Sequence, residues 1–268
     1  MRRTGLSIAT AALLLAACDP GPGGTPPAAP ATLTAPVTDV GQLVAAARAG
    51  IAEAPSAAFT TTATLGPDTK TAPGSLSFDG STSSLTMVVD GSEVRVIGKK
   101  TFTHAPAGIP GKEWVGTDPD SGDPIARAAG AAVPVLVKLP DLGRALIEIE
   151  RTGRITAAEQ VRLGDLPVNH YVLELDAAKA PELFPEFAEP PVNGKPAKAV
   201  TAKLPAELWL DAARRPVRFA VDLSAGLPQA VPTRGTTDYR DWGTPVDIRP
   251  PAADQVVDLG ELMKKLGT

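Results

Sequence analysis

Two histidines, one cysteine and a scatter of serines are the residues of this chain that could attack a substrate, shuttle protons or hold a soft metal. A nucleophilic serine needs a histidine base with a carboxylate behind it. It is commonly carried on a Gly-x-Ser-x-Gly turn. No such turn occurs; Ser81, Ser83 and Ser84 belong to the start of a strand-like run, and His104 and His170 lie far apart in sequence. His170 reads as a partly buried strand residue. Structural zinc needs clustered Cys and His ligands, and no such cluster exists. No glycine-rich loop is built to cradle a phosphate. Asp118-Pro119-Asp120-Ser121-Gly122-Asp123 places three carboxylates within six residues, the kind of oxygen set calcium uses. Gly122, however, stands where a ligand is required, and no Glu follows at the right distance. The stretch reads as a polar loop ending in a helix cap. The expectation is a protein that is not an enzyme and uses no cofactor.

The single cysteine has a different context. Arg2 and Arg3 are followed by an apolar run from Ile8 to Ala17. Ten residues are about half of what a membrane span requires, so residues 1–17 read as a signal peptide. The Arg2-Arg3 pair is only a weak twin-arginine signal. Leu15-Ala16-Ala17-Cys18 resembles the lipobox of bacterial lipoproteins, which implies acylation of Cys18, palmitate among the chains. It also implies a mature protein held on the outer, extracytoplasmic face of the cell membrane. Two or three acyl chains anchor stably where one does not.

Residues 18–36 form the next unit. Six prolines and three glycines fall between Asp19 and Pro36, a composition of an extended tether and not of a core. Fully extended it would reach roughly 50 Å. Residues 37–268 remain as a single domain. Loss of Arg2 and Arg3 leaves 24 basic against 30 acidic side chains, a net charge of −6. That balance excludes nucleic acid as a partner and argues against docking on anionic lipid by charge. With its only cysteine acylated the chain has no intramolecular disulfide, so packing must hold it together. Aromatic residues are 4% of the chain, so the core must be aliphatic.

Spacing then orders the elements. Asp39 is a candidate N-cap for a helix with Val40, Leu43, Val44, Ala47 and Ile51 on one stripe, ended by Pro55. A strand meander follows, with Asp90-Gly91 as a hairpin turn and Trp114 in its last strand. Asp123-Pro124 marks a helix start for the stripe Ile125, Ala129, Ala132, Val133, Leu136 and Val137, kinked at Pro134. Asp141 starts another helix with Leu142, Ala145, Leu146 and Ile149 inward. Strands return: Thr156–Leu163, then Val168–Asp176 with Tyr171, Leu173 and Leu175 on one face. A proline-broken helical stretch spans Ala177–Ala188. Strands follow at Ala199–Asp211, Pro216–Leu223 and Thr236–Trp242. Asp254–Leu266 reads as a closing helix. Trp114, Trp209 and Trp242 read as core anchors before they read as a binding-site lining.

Several of these stretches together resemble a known family. They are Asn169-His170-Tyr171-Val172-Leu173-Glu174-Leu175; Leu208-Trp209-Leu210-Asp211 running into Arg215-Pro216-Val217-Arg218; and Tyr239-Arg240-Asp241-Trp242-Gly243-Thr244-Pro245-Val246, leading to Pro250-Pro251-Ala252-Ala253-Asp254-Gln255-Val256. With the lipobox and tether before them, they are similar to the LppX/LprAFG lipoproteins of mycobacteria and relatives, over about residues 37–268. The resemblance implies an α+β, LolA-like fold: a strongly curved antiparallel half-barrel with helices on its concave face and an apolar cavity between. It also implies a carrier of lipid, glycolipid or lipoglycan acyl chains that works as a monomer. Leu85, Met87, Val94, Val96, Leu173, Val217, Phe219 and Val221 are the candidate inward sheet face, opposed by Val133 and Leu136. The kinked segment from Asp123 to Ile149 is the candidate lid. The rival expectation is a non-catalytic envelope or stress-sensing module that binds a protein partner, since LolA-like folds serve there too.

Overall fold

The Asp39 carboxylate accepts a hydrogen bond from the Gln42 N–H at 2.9 Å and caps α1 (Val40–Glu53). It thereby satisfies one of the amides that a helix start leaves unpaired. Leu43, Val44, Ala47 and Ile51 form the buried stripe. The computed structural model describes residues 32–80, 82–109, 111–123, 135–184, 202–226 and 232–265. The segment from Thr32 onward is one compact unit. Cys18, Val133, most of the expected 123–137 helix and the second half of the expected 177–188 stretch lie outside the described residues.

Six strands follow α1 as a meander: β1 (Ser56–Leu65), β2 (Asp68–Asp79), β3 (Thr82–Val89), β4 (Ser92–Ile97), β5 (Lys100–Ile109) and β6 (Lys112–Thr117). Asp90 and Gly91 both take positive φ, 49° and 82°. That is the backbone of a two-residue turn matched to the strand twist. The short α2 (Val135–Lys138) and α3 (Leu142–Thr152) separate this meander from β7 (Gly153–Leu163), β8 (Leu166–Asp176), β9 (Lys203–Leu210), β10 (Pro216–Asp222) and β11 (Thr233–Arg240). Ala177–Lys179 and Pro181–Leu183 are single 3₁₀ turns, not a longer helix.

With β12 (Val256–Asp258) on the β6 edge, β11 pairs with β1 and joins the two meanders into one twelve-stranded sheet, ordered β12-β6-β5-β4-β3-β2-β1-β11-β10-β9-β8-β7. Every pairing is antiparallel except β12 with β6. The sheet is curved and does not close. Its curvature follows from one contact pattern. α3 touches β3 and also β7 and β8, although β3 and β8 stand six places apart. A flat sheet would separate them by about 29 Å. A helix about 10 Å across meets both only when the sheet bends around it.

Two local expectations need correction. Val256–Asp258 is β12, a parallel strand on the β6 edge, and not the start of the closing helix. Asp258 explains the boundary: its carboxylate accepts from the N–H groups of Gly260 and Glu261, so α4 (Leu259–Lys265) begins after it. Val217 is the second correction. Its alternation with Phe219 and Val221 predicts one face, but a bulge interrupts the β9–β10 register between Pro216 and Arg218. The extra residue shifts the phase. Val217 packs on the outer face with Val168, Trp209 and Ala220, whereas Phe219 and Val221 remain inside.

Candidate functional site

The concave face is filled by side chains over much of its area. Leu85, Met87, Val94 and Leu173 from the sheet join Leu43, Val44, Ala47, Leu136, Leu142, Leu146 and Ile149 from the helices in one continuous apolar cluster. Val96 packs against the same cluster from its margin. The N-terminal arm adds a polar fastening here. The Val37 N–H donates to the Tyr171 hydroxyl at 3.3 Å, and the Thr34 carbonyl accepts from the side-chain amides of Gln160 and Asn169.

Open space lies beside this cluster. A cleft of about 560 Å³ is lined by Arg48, Ile51, Ala52, Pro55, Phe78, Gly80, Gly143 and Leu146. Its walls are α1, α3 and the chain around the end of β2. Among the described residues, Arg48 is the one charged member of the lining. Its guanidinium donates to both Glu150 carboxylate oxygens at 3.2 and 2.7 Å, linking the two helices. A second, much smaller hollow of about 40 Å³ lies under α2 and α3, lined among others by Leu139, Phe184, Phe219, Val221 and Leu223. Thus of the expected lining, Phe219 and Val221 border a hollow, Leu85, Met87, Val94, Val96, Leu136 and Leu173 belong to packed core or its margin, and Val217 faces away. The α1–α3 cleft was not legible in the sequence. Ile51 and Leu146 stand out there only as members of amphipathic stripes. A stripe reads the same whether a neighbouring helix or a gap faces it.

The start of α3 is firmly held. Asp141 caps it by accepting from the Arg144 N–H at 3.0 Å and also bonds the Ser83 hydroxyl of β3. Tyr239, buried beneath, donates to the Pro140 carbonyl at 3.3 Å. Burial pushes both the Tyr239 and Tyr171 phenols above their ordinary range. Arg144 bonds Glu148 at 2.6 Å and the Leu183 carbonyl at 2.8 Å, pinning the 181–183 turn over α3.

The outer face carries the histidines and two of the three tryptophans. Cross-strand partners place Glu159, His170, Trp209, Arg218, Asp238 and Thr60 in one row over β7, β8, β9, β10, β11 and β1. His170 bonds Glu207 at 2.9 Å, lies 3.5 Å from Glu159 and stacks on Trp209 with ring centroids 4.4 Å apart. Arg218 lies over the same indole and donates to Asp238. His104 and Arg95 also contact Trp114, His104 tilted against the indole with centroids 5.0 Å apart and Arg95 over the ring at 4.5 Å. Neither histidine has a serine among its bonded partners, and among the described residues no group of three metal-capable side chains forms. Trp242 packs at the core margin, stacked on Phe78.

The chain is thus a curved, unclosed, mostly antiparallel twelve-stranded sheet with helices in its hollow, the half-barrel architecture expected from the sequence. Among solved structures it is similar to LprF from Mycobacterium bovis, at 18% identity and a TM-score of 0.41, over 82% of this chain and 100% of that one. It is similar to the lipoprotein LppX of Mycobacterium tuberculosis at 14% identity and a TM-score of 0.42, over 78% and 99% of the two chains. The MucA/MucB complex of Pseudomonas aeruginosa matches at 13% identity and a TM-score of 0.36, over 81% of this chain and 60% of that one. No protein-family model and no curated protein matches the sequence.

Proposed function

We propose that this protein is a non-catalytic, extracytoplasmic lipoprotein, anchored through Cys18, that shelters the acyl chains of a lipid or glycolipid. The observation that carries this reading is the α1–α3 cleft. Its volume of about 560 Å³ falls within the roughly 300–1,000 Å³ of small-molecule sites. Ile51, Pro55, Phe78 and Leu146 give it an apolar wall. An acyl chain entering it gains about 0.8 kcal/mol for each methylene taken out of water, so affinity rises steeply with chain length and needs few polar contacts. The domain spanning 37–268 then acts as the carrier, and residues 18–36 as its tether.

The test is binding of a homologous series of fatty acids to residues 32–268, followed by calorimetry. Affinity that climbs several-fold per added methylene pair, and that falls at least tenfold in Leu146→Trp, supports the reading. Affinity indifferent to chain length overturns it.

A second reading, a module that binds a protein partner, draws on the outer face. A groove of about 670 Å³ runs between the β7–β8 hairpin and Trp242, with Arg215, Arg218, Arg240 and Leu166 on its walls. Leu166 is 42% exposed. Chain-length-independent behaviour in the lipid test would move attention to this groove.

A further inference from the structure

Among the described residues that line it, the α1–α3 cleft has one charged side chain, Arg48, and it points to a headgroup. Arg48 both lines the cleft and reaches Glu150, whereas Glu150 is not part of the lining. A ligand in the cleft therefore meets the cation and not its counter-ion. From this, and resting on the acyl-binding reading above, we infer that the cleft takes an anionic amphiphile, whose phosphate or carboxylate exchanges with Glu150 for the Arg48 guanidinium.

The geometry suits the exchange. Glu150 holds Arg48 through two parallel N–H···O bonds at 3.2 and 2.7 Å, the fork that recognises phosphate and carboxylate alike. A ligand anion can adopt the same bidentate arrangement once the half-exposed Glu150 carboxylate swings away into solvent. The pair to be broken is weakly held. Its side chains are 41% and 44% exposed, and ion pairs of that exposure contribute little to stability. The swap thus leaves one solvated carboxylate and gains a charge-assisted contact at an apolar wall. Ile51 and Leu146 lie one helical turn from Arg48 and Glu150 respectively, so a headgroup at the guanidinium leaves its chain directed at apolar lining. The same pair ties α1 to α3, so headgroup capture also releases the link between the two walls.

The measurement uses the mature chain with Cys18→Ser and three probes: dodecyl phosphate, dodecanol and inorganic phosphate, each followed by calorimetry at low and high salt. Dodecyl phosphate should bind about tenfold tighter than dodecanol, with the preference shrinking as salt screens the exposed cation. Inorganic phosphate alone should bind far more weakly than dodecyl phosphate. Arg48→Gln should bring the phosphate-to-alcohol ratio near one. Glu150→Gln, which leaves Arg48 unpaired, should raise that ratio. Arg48→Lys retains the charge without the fork and should give an intermediate ratio, which keeps the test valid if the Gln variant folds poorly. Equal binding of dodecyl phosphate and dodecanol overturns the headgroup inference while leaving the acyl cleft standing. A ratio unchanged in Arg48→Gln does the same. Absence of binding by both dodecyl probes overturns the acyl reading itself.

Discussion

Gly50 shows how a single residue can be misread from local preference. It sits inside α1, where glycine costs about 1 kcal/mol relative to alanine, so propensity alone marks Gly50→Ala as stabilising. The tertiary contact reverses the sign. A Cβ at this position would lie 2.5 Å from the Arg214 carbonyl oxygen and 2.8 Å from that of Ala213. Backbone cannot step aside as a flexible side chain would. Gly50→Ala should therefore lower stability by about 1–3 kcal/mol, read from the urea midpoint at unchanged slope. A gain of stability would show that α1 rides farther from the 211–215 turn. Gly74 has the same origin: the Phe59 ring, its cross-strand partner, covers the place a side chain would occupy.

At the scale of elements, the outer row from Glu159 to Thr60 explains what the resemblance motifs do. Asn169–Leu175, Leu208–Asp211 and Arg215–Arg218 lie on or beside adjacent strands, and in register His170 stacks on Trp209 while Arg218 lies over the same indole. Trp209 is the centre of this row, with a ring on one side and a guanidinium on the other. Trp209→Ala should cost about 3–5 kcal/mol and speed amide exchange in β7, the edge strand held through His170 and Glu159. A loss below about 1 kcal/mol would show that the row decorates the sheet without supporting it. The alternation of β8 made this face legible, since odd positions point in and even positions out. The bulge at Val217 was not legible, because it is a property of the pairing between β9 and β10 and not of either strand's composition.

Both buried tyrosines make the molecule's stability sensitive to alkali. Burial raises both the Tyr171 and Tyr239 phenols. An unfolded tyrosine ionises near pH 10, so above that pH the folded state holds more protons than the unfolded one. Stability is then full below about pH 10 and falls as pH rises beyond it. Tyr171→Phe should lessen the steepness of that fall, measured as urea midpoint against pH; a slope identical to the parent would sink this account of Tyr171. The helix caps at Asp39 and Asp141, the Asp90-Gly91 turn and the alternation of β8 were all determined by the sequence itself. Each is set by residues a few positions apart, whose chemistry acts before any long-range contact forms. Tertiary structure alone decided the joining of two meanders through β1 and β11, the β12 edge, the outward turn of Val217 and the gap between α1 and α3. Each depends on how surfaces far apart in the chain meet, and an apolar stripe carries the same pattern whether it meets a packed neighbour or an empty cleft.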